Sequence, residues 1–209
     1  MSTPTSITPY QQKVQTVAGL FQKLKPQITR ALPRHMTAER MMRIALTSVQ
    51  RTPELLDCEP RSLAACVVQC AQLGLEPDGV LGHAYLVPFK DKGVPKAQLI
   101  VGYRGMIDLA RRSDQIVSIH ARAVHEKDVF HYAFGLDEKL SHVPSDLVDP
   151  GSLTHAYAVA RLKDGGVQFE VMSRAEIDKI RTRSRAGQSG PWVTDYEEMA
   201  KKTTIRRLF

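Results

Sequence analysis

The chain has 209 residues, 43% of them hydrophobic, with 29 Lys and Arg against 22 Asp and Glu for a formal net charge of +7. That size and apolar content suit one domain, or one domain with a helical extension, and the positive balance favours a polyanionic partner without specifying a fold. Three cysteines argue against a disulfide framework, and the sequence shows neither a membrane-spanning apolar run nor a signal pattern, so a soluble cytoplasmic protein is expected.

Residues 1–12 are rich in Ser, Thr, Pro and Gln and are expected to be flexible. An amphipathic stretch, residues 14–25, fits a short helix that Pro26 is expected to end. Residues 1–30 are therefore read as a flexible segment and 31–209 as a single domain. A helix opens at Thr37, with Ala38, Met41, Met42, Ala45 and Val49 on one face. A second runs from Pro60 to a Gly74 cap, burying Leu63, Cys66, Val67, Cys70 and Leu73. Cys66 and Cys70 lie one turn apart, but no complementary His or Cys pair completes a zinc site, so they read as core.

After Gly79 the pattern changes to strands. Residues 83–89 and 97–103 flank Lys90-Asp91-Lys92-Gly93-Val94-Pro95 as a first hairpin. A helix follows over 104–113, with Arg104, Asp108, Arg111 and Arg112 in a narrow arc. This arc fits a solvated face with Asp108 paired to Arg104 or Arg112. Three arginines against one aspartate also leave a cationic stripe for phosphate. Val117, Ile119, Ala121 and Ala123, then Phe130, Tyr132, Phe134 and Leu136, alternate with more polar or smaller residues and read as a second hairpin with one buried face. His120 and His131 fall on polar faces, and no carboxylate spacing makes them a metal site. Residues 141–151 read as a loop. Asp164-Gly165-Gly166 marks a third hairpin, whose first strand carries a small face of Ala156, Ala158 and Ala160 that lets a helix approach.

Ser173 with Glu176 is a capping box opening a helix to about Ser184, with Lys179 and Arg183 on one edge and Arg174, Asp178 and Arg181 on the other. Arg185 enters a Gly/Ser/Gln loop that ends in Gly190-Pro191-Trp192. A last helix is expected from Asp195, capped by Thr194 and Glu197, acidic at its start and basic at its end through Lys201, Lys202, Arg206 and Arg207. This is consistent with an ordinary surface helix. The lone Trp beside stacked cations also fits a base on the indole with phosphates passing the cations. Helices first, then antiparallel hairpins with helices, define an α+β class.

The sequence contains no phosphate-binding GxxxxGK[ST] loop, dinucleotide fingerprint, nucleophile elbow or CxxC. Its carboxylates are scattered rather than paired for two-metal cleavage. Basic residues gather on the arginine-faced helix and over 174–207, near Tyr103, Trp192 and Tyr196. That is a binding signature without base-reading motifs.

The stretches ALPRHMTAERM (31–41), VQCAQLGLEP (68–77), LGHAYLVPF (81–89), QLIVGYRGMIDLARRS (98–113), FGLDEKL (134–140), YAVARLKDGG (157–166), QFEVM (168–172) and GPWVTDYEEMAKKTTIRRLF (190–209) run in order over nearly everything after Leu32. Together they resemble the RecT family of phage and prophage single-strand annealing recombinases. The resemblance implies a RecT-type annealing core related to the Rad52-like fold. It also implies ATP-independent pairing of complementary DNA strands and assembly into rings or helical filaments. The alternatives kept beside it are a passive protector of single strands and a metal-dependent nuclease. No cofactor is implied, with magnesium only a DNA counterion, and the location is the cytoplasm of a bacterial host cell. The Gly-Pro-Trp and basic helix also recur in lambda beta-type annealing proteins, which supports DNA contact at Trp192, Lys201, Lys202, Arg206 and Arg207. Lys179, Arg183 and Arg185 join by position and charge, and Arg104, Arg111 and Arg112 by their stripe. The family pattern continues past Phe209 into further helix and an often acidic tail. Contact with a 5′-to-3′ exonuclease and a host single-strand binding protein is expected only where that tail is present.

Overall fold

A computed structural model of the chain describes residues 7–77, 80–184, 187–188 and 191–209. Backbone proximity gathers the chain into two compact units, Met1–Leu109 and Ala110–Phe209.

The first unit begins with α1, Pro9–Ala31, opened by a capping box between Thr8 and Gln11. The helix does not stop at Pro26, as the sequence reading expects, but continues through it. An interior proline costs roughly 3 kcal/mol. Phe21 and Ile28, two turns apart on either side of Pro26, are both fully packed, and burying each stabilises by about 1.5–3 kcal/mol. Core packing therefore outweighs the local break. Helix α2, Ala38–Arg51, is capped by the Thr37 hydroxyl and buries Ala38, Met41, Met42, Ala45 and Val49, the face its periodicity indicates. A 3-10 turn, Pro53–Asp57, leads to α3, Pro60–Leu73, which ends at Gly74 in the left-handed region (φ 61°). Cys66 and Cys70 are free thiols inside this core. Burial pushes both pKa values up, Cys70 to about 12, which favours the protonated thiol over the nucleophilic thiolate. Strands β1, Ala84–Asp91, and β2, Val94–Val101, form an antiparallel hairpin with Ala84 opposite Val101. Its turn has positive φ at Lys92 and Gly93. Helix α4 spans Tyr103–Arg112.

In the second unit, β3 (Ile116–His125), β6 (Leu153–Leu162) and β7 (Val167–Ser173) make an antiparallel sheet in the order β3-β6-β7. Strand β4, Val129–Ala133, pairs instead with β5, Lys139–Val143. The expected hairpin between β3 and β4 is thus corrected, as is the expected loop over 141–151, whose start belongs to β5. Alternation marks a half-buried strand but does not name its partner. Between β3 and β4, the Asp128 carboxylate accepts from the backbone N–H groups of His125 and Ser145 and bonds the His142 ring, which turns the chain out of the sheet. A register shift between Ile116 and Ser118 also expels Val117 to 61% exposure, although Ile119 stays buried.

Helix α5, Arg174–Arg183, starts at the anticipated Ser173–Glu176 capping box. A short α6, Pro191–Thr194, precedes α7, Tyr196–Leu208. The expected Thr194–Glu197 box does not form. Thr194 belongs to α6, its hydroxyl donates to the Asp195 carboxylate at 2.5 Å, and Asp195 sits at the N-cap with no side-chain cap bond. Helix α7 lies on β6, where Ala156, Ala158 and Ala160 are buried and leave room for Ala200 and Thr204.

Candidate nucleic-acid interface

Residues 199, 202, 203 and 206 lie at three- and four-residue spacings and so share one face of α7. With Ile180 and Arg183 of α5, and Trp192 beneath, they line a cleft of about 510 Å³. Arg183 and Arg206 are exposed and Lys202 is half-buried. None of the three has a carboxylate partner within ion-pair distance among the described residues. Burial, followed by the neighbouring Arg206 charge, pushes the Lys202 pKa down. An anion entering the cleft relieves that repulsion. Lys179 stands exposed one turn before Arg183 on the same edge of α5.

Two further expected contacts are already engaged. Arg207 also borders the cleft, but its guanidinium bonds Glu170 at 2.8 Å and Glu176 at 2.9 Å. Lys201 points to Glu198 at 2.5 Å and Glu197 at 3.5 Å. Burial lowers its pKa, but the Glu198 and Glu197 pairings together prevail and raise it.

Trp192 differs most from expectation. It is 4% exposed and packs with Leu153, Ala156, Met172, Ile177 and Ala200. The open indole face expected to receive a base is therefore corrected to a core position flooring the cleft. The reason is the small face of β6: alanine at 156 leaves space that the largest side chain fills. Tyr196, 6.0 Å from the indole, is held differently. The guanidinium groups of Arg181 and Arg174 lie 5.6 and 5.9 Å from its ring centroid, and its hydroxyl donates to Asp178 at 2.7 Å. Burial, then the Asp178 bond, pushes its pKa up to about 12. Arg174 and Arg181 thus form a second cationic group around one aromatic ring. Their shared helix edge was readable in the sequence, but the Tyr196 partner, in another helix, was not.

Arg104, Arg111 and Arg112 are exposed on α4. Arg185 and Gly190 lie outside the described residues. Gly187 is packed onto the end of α5: its carbonyl accepts from Arg181 Nε at 2.7 Å, and a Cβ there would meet the Arg181 carbonyl at 2.1 Å. No group of three or more His, Cys, Asp or Glu side chains converges as metal ligands among the described residues. No helix among them is long and apolar enough to cross a membrane.

A cleft edged by cations that have no carboxylate partner among the described residues, on an α+β scaffold of antiparallel strands and helices, has the character expected of a polyanion-binding protein. The family model of the RecT family matches residues 39–209, and the chain belongs to that family. It is 60% identical over 190 residues to protein RecT of Escherichia coli (strain K12), an alignment that covers 89% of this chain and 70% of that protein. It is 26% identical over 165 residues to the uncharacterised protein YqaK of Bacillus subtilis (strain 168), covering 78% of this chain and 56% of that one.

Proposed function

We infer that this chain binds single-stranded DNA and anneals complementary strands in phage-type homologous recombination, with neither nucleotide hydrolysis nor covalent chemistry. Membership of the RecT family supports the reading. The structural observation that carries it is the cleft where Arg183, Lys202 and Arg206 converge without carboxylates. Cations in such a cleft hold the phosphates of one strand and leave base edges free for a second. Correct pairing is retained because the product adds stacking and further phosphate contacts. Repetition along a homo-oligomer, ring or filament, turns many weak contacts into avidity and a register search. Magnesium acts only as a DNA counterion. An exonuclease that exposes the single strand and a host single-strand binding protein are the partners this role calls for, and the bacterial cytoplasm is its setting.

Two labelled complementary oligonucleotides, mixed without nucleotide cofactor, separate the readings. Annealing accelerated by the protein, with both strands intact, is the expected result. Binding without acceleration identifies a passive protector, and magnesium-dependent shortening of the label identifies a nuclease.

A further inference from the structure

Base stacking requires an exposed ring, and Trp192 does not offer one. Tyr85 on β1 is 40% exposed, and the Arg104 side chain shares with its hydroxyl the space above Gly82. Three glycines make this possible. Gly82 adopts φ +73°, a conformation other residues rarely take. A Cβ on Gly102 would meet the Gly82 carbonyl oxygen at 2.0 Å, and one on Gly105 would meet the His83 carbonyl oxygen at 2.2 Å. Without those side chains, the Gly102 N–H donates to the His83 carbonyl at 2.9 Å and the first turn of α4 presses onto the segment before β1.

The close approach gathers three side chains around one backbone floor. The Tyr85 ring lies against Gly102, its Cε2 3.1 Å from where a Cβ would stand. From the corresponding point on Gly82, the Tyr85 hydroxyl is at 3.1 Å and Arg104 Cδ at 3.5 Å. The Arg104 guanidinium sits 6.0 Å from the Tyr103 ring centroid, and its Nε donates to the Tyr103 hydroxyl at 3.4 Å. Arg104 is exposed and has no carboxylate partner among the described residues. The other exposed aromatic residues lack this combination. Tyr132 and Phe134 are engaged with other rings, and Tyr10 and Phe209 have no arginine gathered beside them among the described residues.

We propose that Tyr85, Tyr103 and Arg104 form a sequence-neutral stacking site for an unpaired nucleobase, with the base on the Tyr85 ring and its neighbouring phosphate on the Arg104 guanidinium. The site rests on the reading of the chain as a single-strand binder. It adds base-face contact to a protein whose late helices offer cations and a buried indole. Every base has a π-face, so stacking here holds a strand without selecting its sequence.

The test compares a thymidine oligonucleotide with an abasic oligonucleotide of equal length, binding each to wild type, Tyr85→Leu and Tyr85→Trp. Leucine keeps apolar packing on Gly102 and removes the π-face, and tryptophan restores it. Wild type is expected to prefer the base-bearing strand. Tyr85→Leu is expected to lose on the order of tenfold in affinity for that strand while abasic binding holds, with Tyr85→Trp recovering the preference. Arg104→Ala is expected to weaken both probes. A thymidine-to-abasic ratio in Tyr85→Leu equal to wild type, with wild type still binding thymidine, overturns the stacking site and leaves the single-strand reading standing. Wild type failing to bind the thymidine strand overturns that reading, and the site with it.

Discussion

Arg207 Nη1 donates to Glu176 Oε1 at 2.9 Å, so the last turn of α7 is tied to the residue that caps α5. Glu176 also accepts from the Ser173 backbone N–H, and that bond, with the Arg207 bond after it, lowers its pKa. Arg207 is therefore a fastener between α7, α5 and β7. Arg207→Ala is expected to cost about 0.5–1 kcal/mol, since the pair is partly solvated, and to lower Tm by a few degrees. DNA affinity is expected to fall less than in Arg206→Ala. Thermal unfolding paired with a binding titration checks both.

Lys202 carries a pH signature. Its pKa is lowered by burial and by Arg206, so it loses its proton at a lower pH than an ordinary lysine. Single-strand affinity is expected to fall as pH rises through that lowered value, ahead of a solvated lysine. Lys202→Arg, whose guanidinium does not titrate in this range, is expected to move the alkaline loss upward. Binding isotherms at constant ionic strength across the alkaline range measure it.

Trp192 is a core residue, so Trp192→Ala is expected to cost about 3–5 kcal/mol of stability. Denaturant unfolding is the check. A variant that unfolds like wild type yet binds DNA poorly would point to an open stacking role for the indole.

Asp128 is 3% exposed at its side chain. Burial raises its pKa, but the bonds from the His125 and Ser145 N–H groups and the His142 ring prevail and hold it at about 2. A depressed carboxyl contributes stability above the unfolded value near 3.9, and that contribution is lost as pH falls through about 2. Asp128→Asn is expected to lower Tm at neutral pH, with the gap from wild type closing as pH approaches 2. Melting curves across that window test the sign.

How much of this was legible in the sequence depended on how local each signal was. The Thr37 cap, the Gly74 stop and the Ser173–Glu176 box each involve residues within a few positions of one another, and they formed as expected. So did the first and third hairpins, whose tight turns join their strands. The partner of β3 was not legible. β6 lies far along the chain, and the Asp128 anchor that diverts β4 draws on Ser145 and His142. Pro26 misled because a local rule met a helix held by its flanks. Among the site residues, the charges of α7 were visible, but which of them carry carboxylate partners was not. Lys201 is neutralised within its own helix, and Arg207 by strand β7 and helix α5.

The most direct test of cation-held pairing is the salt dependence of single-strand binding, for wild type and a variant with Arg183, Lys202 and Arg206 all changed to alanine. Each phosphate neutralised on a single strand contributes about 0.7 to the fall of log K with log salt. Wild type is expected to bind in the absence of ATP with a steep slope, and the triple variant to bind weakly with a slope shallower by about 2. A triple variant with wild-type affinity and slope would contradict the account.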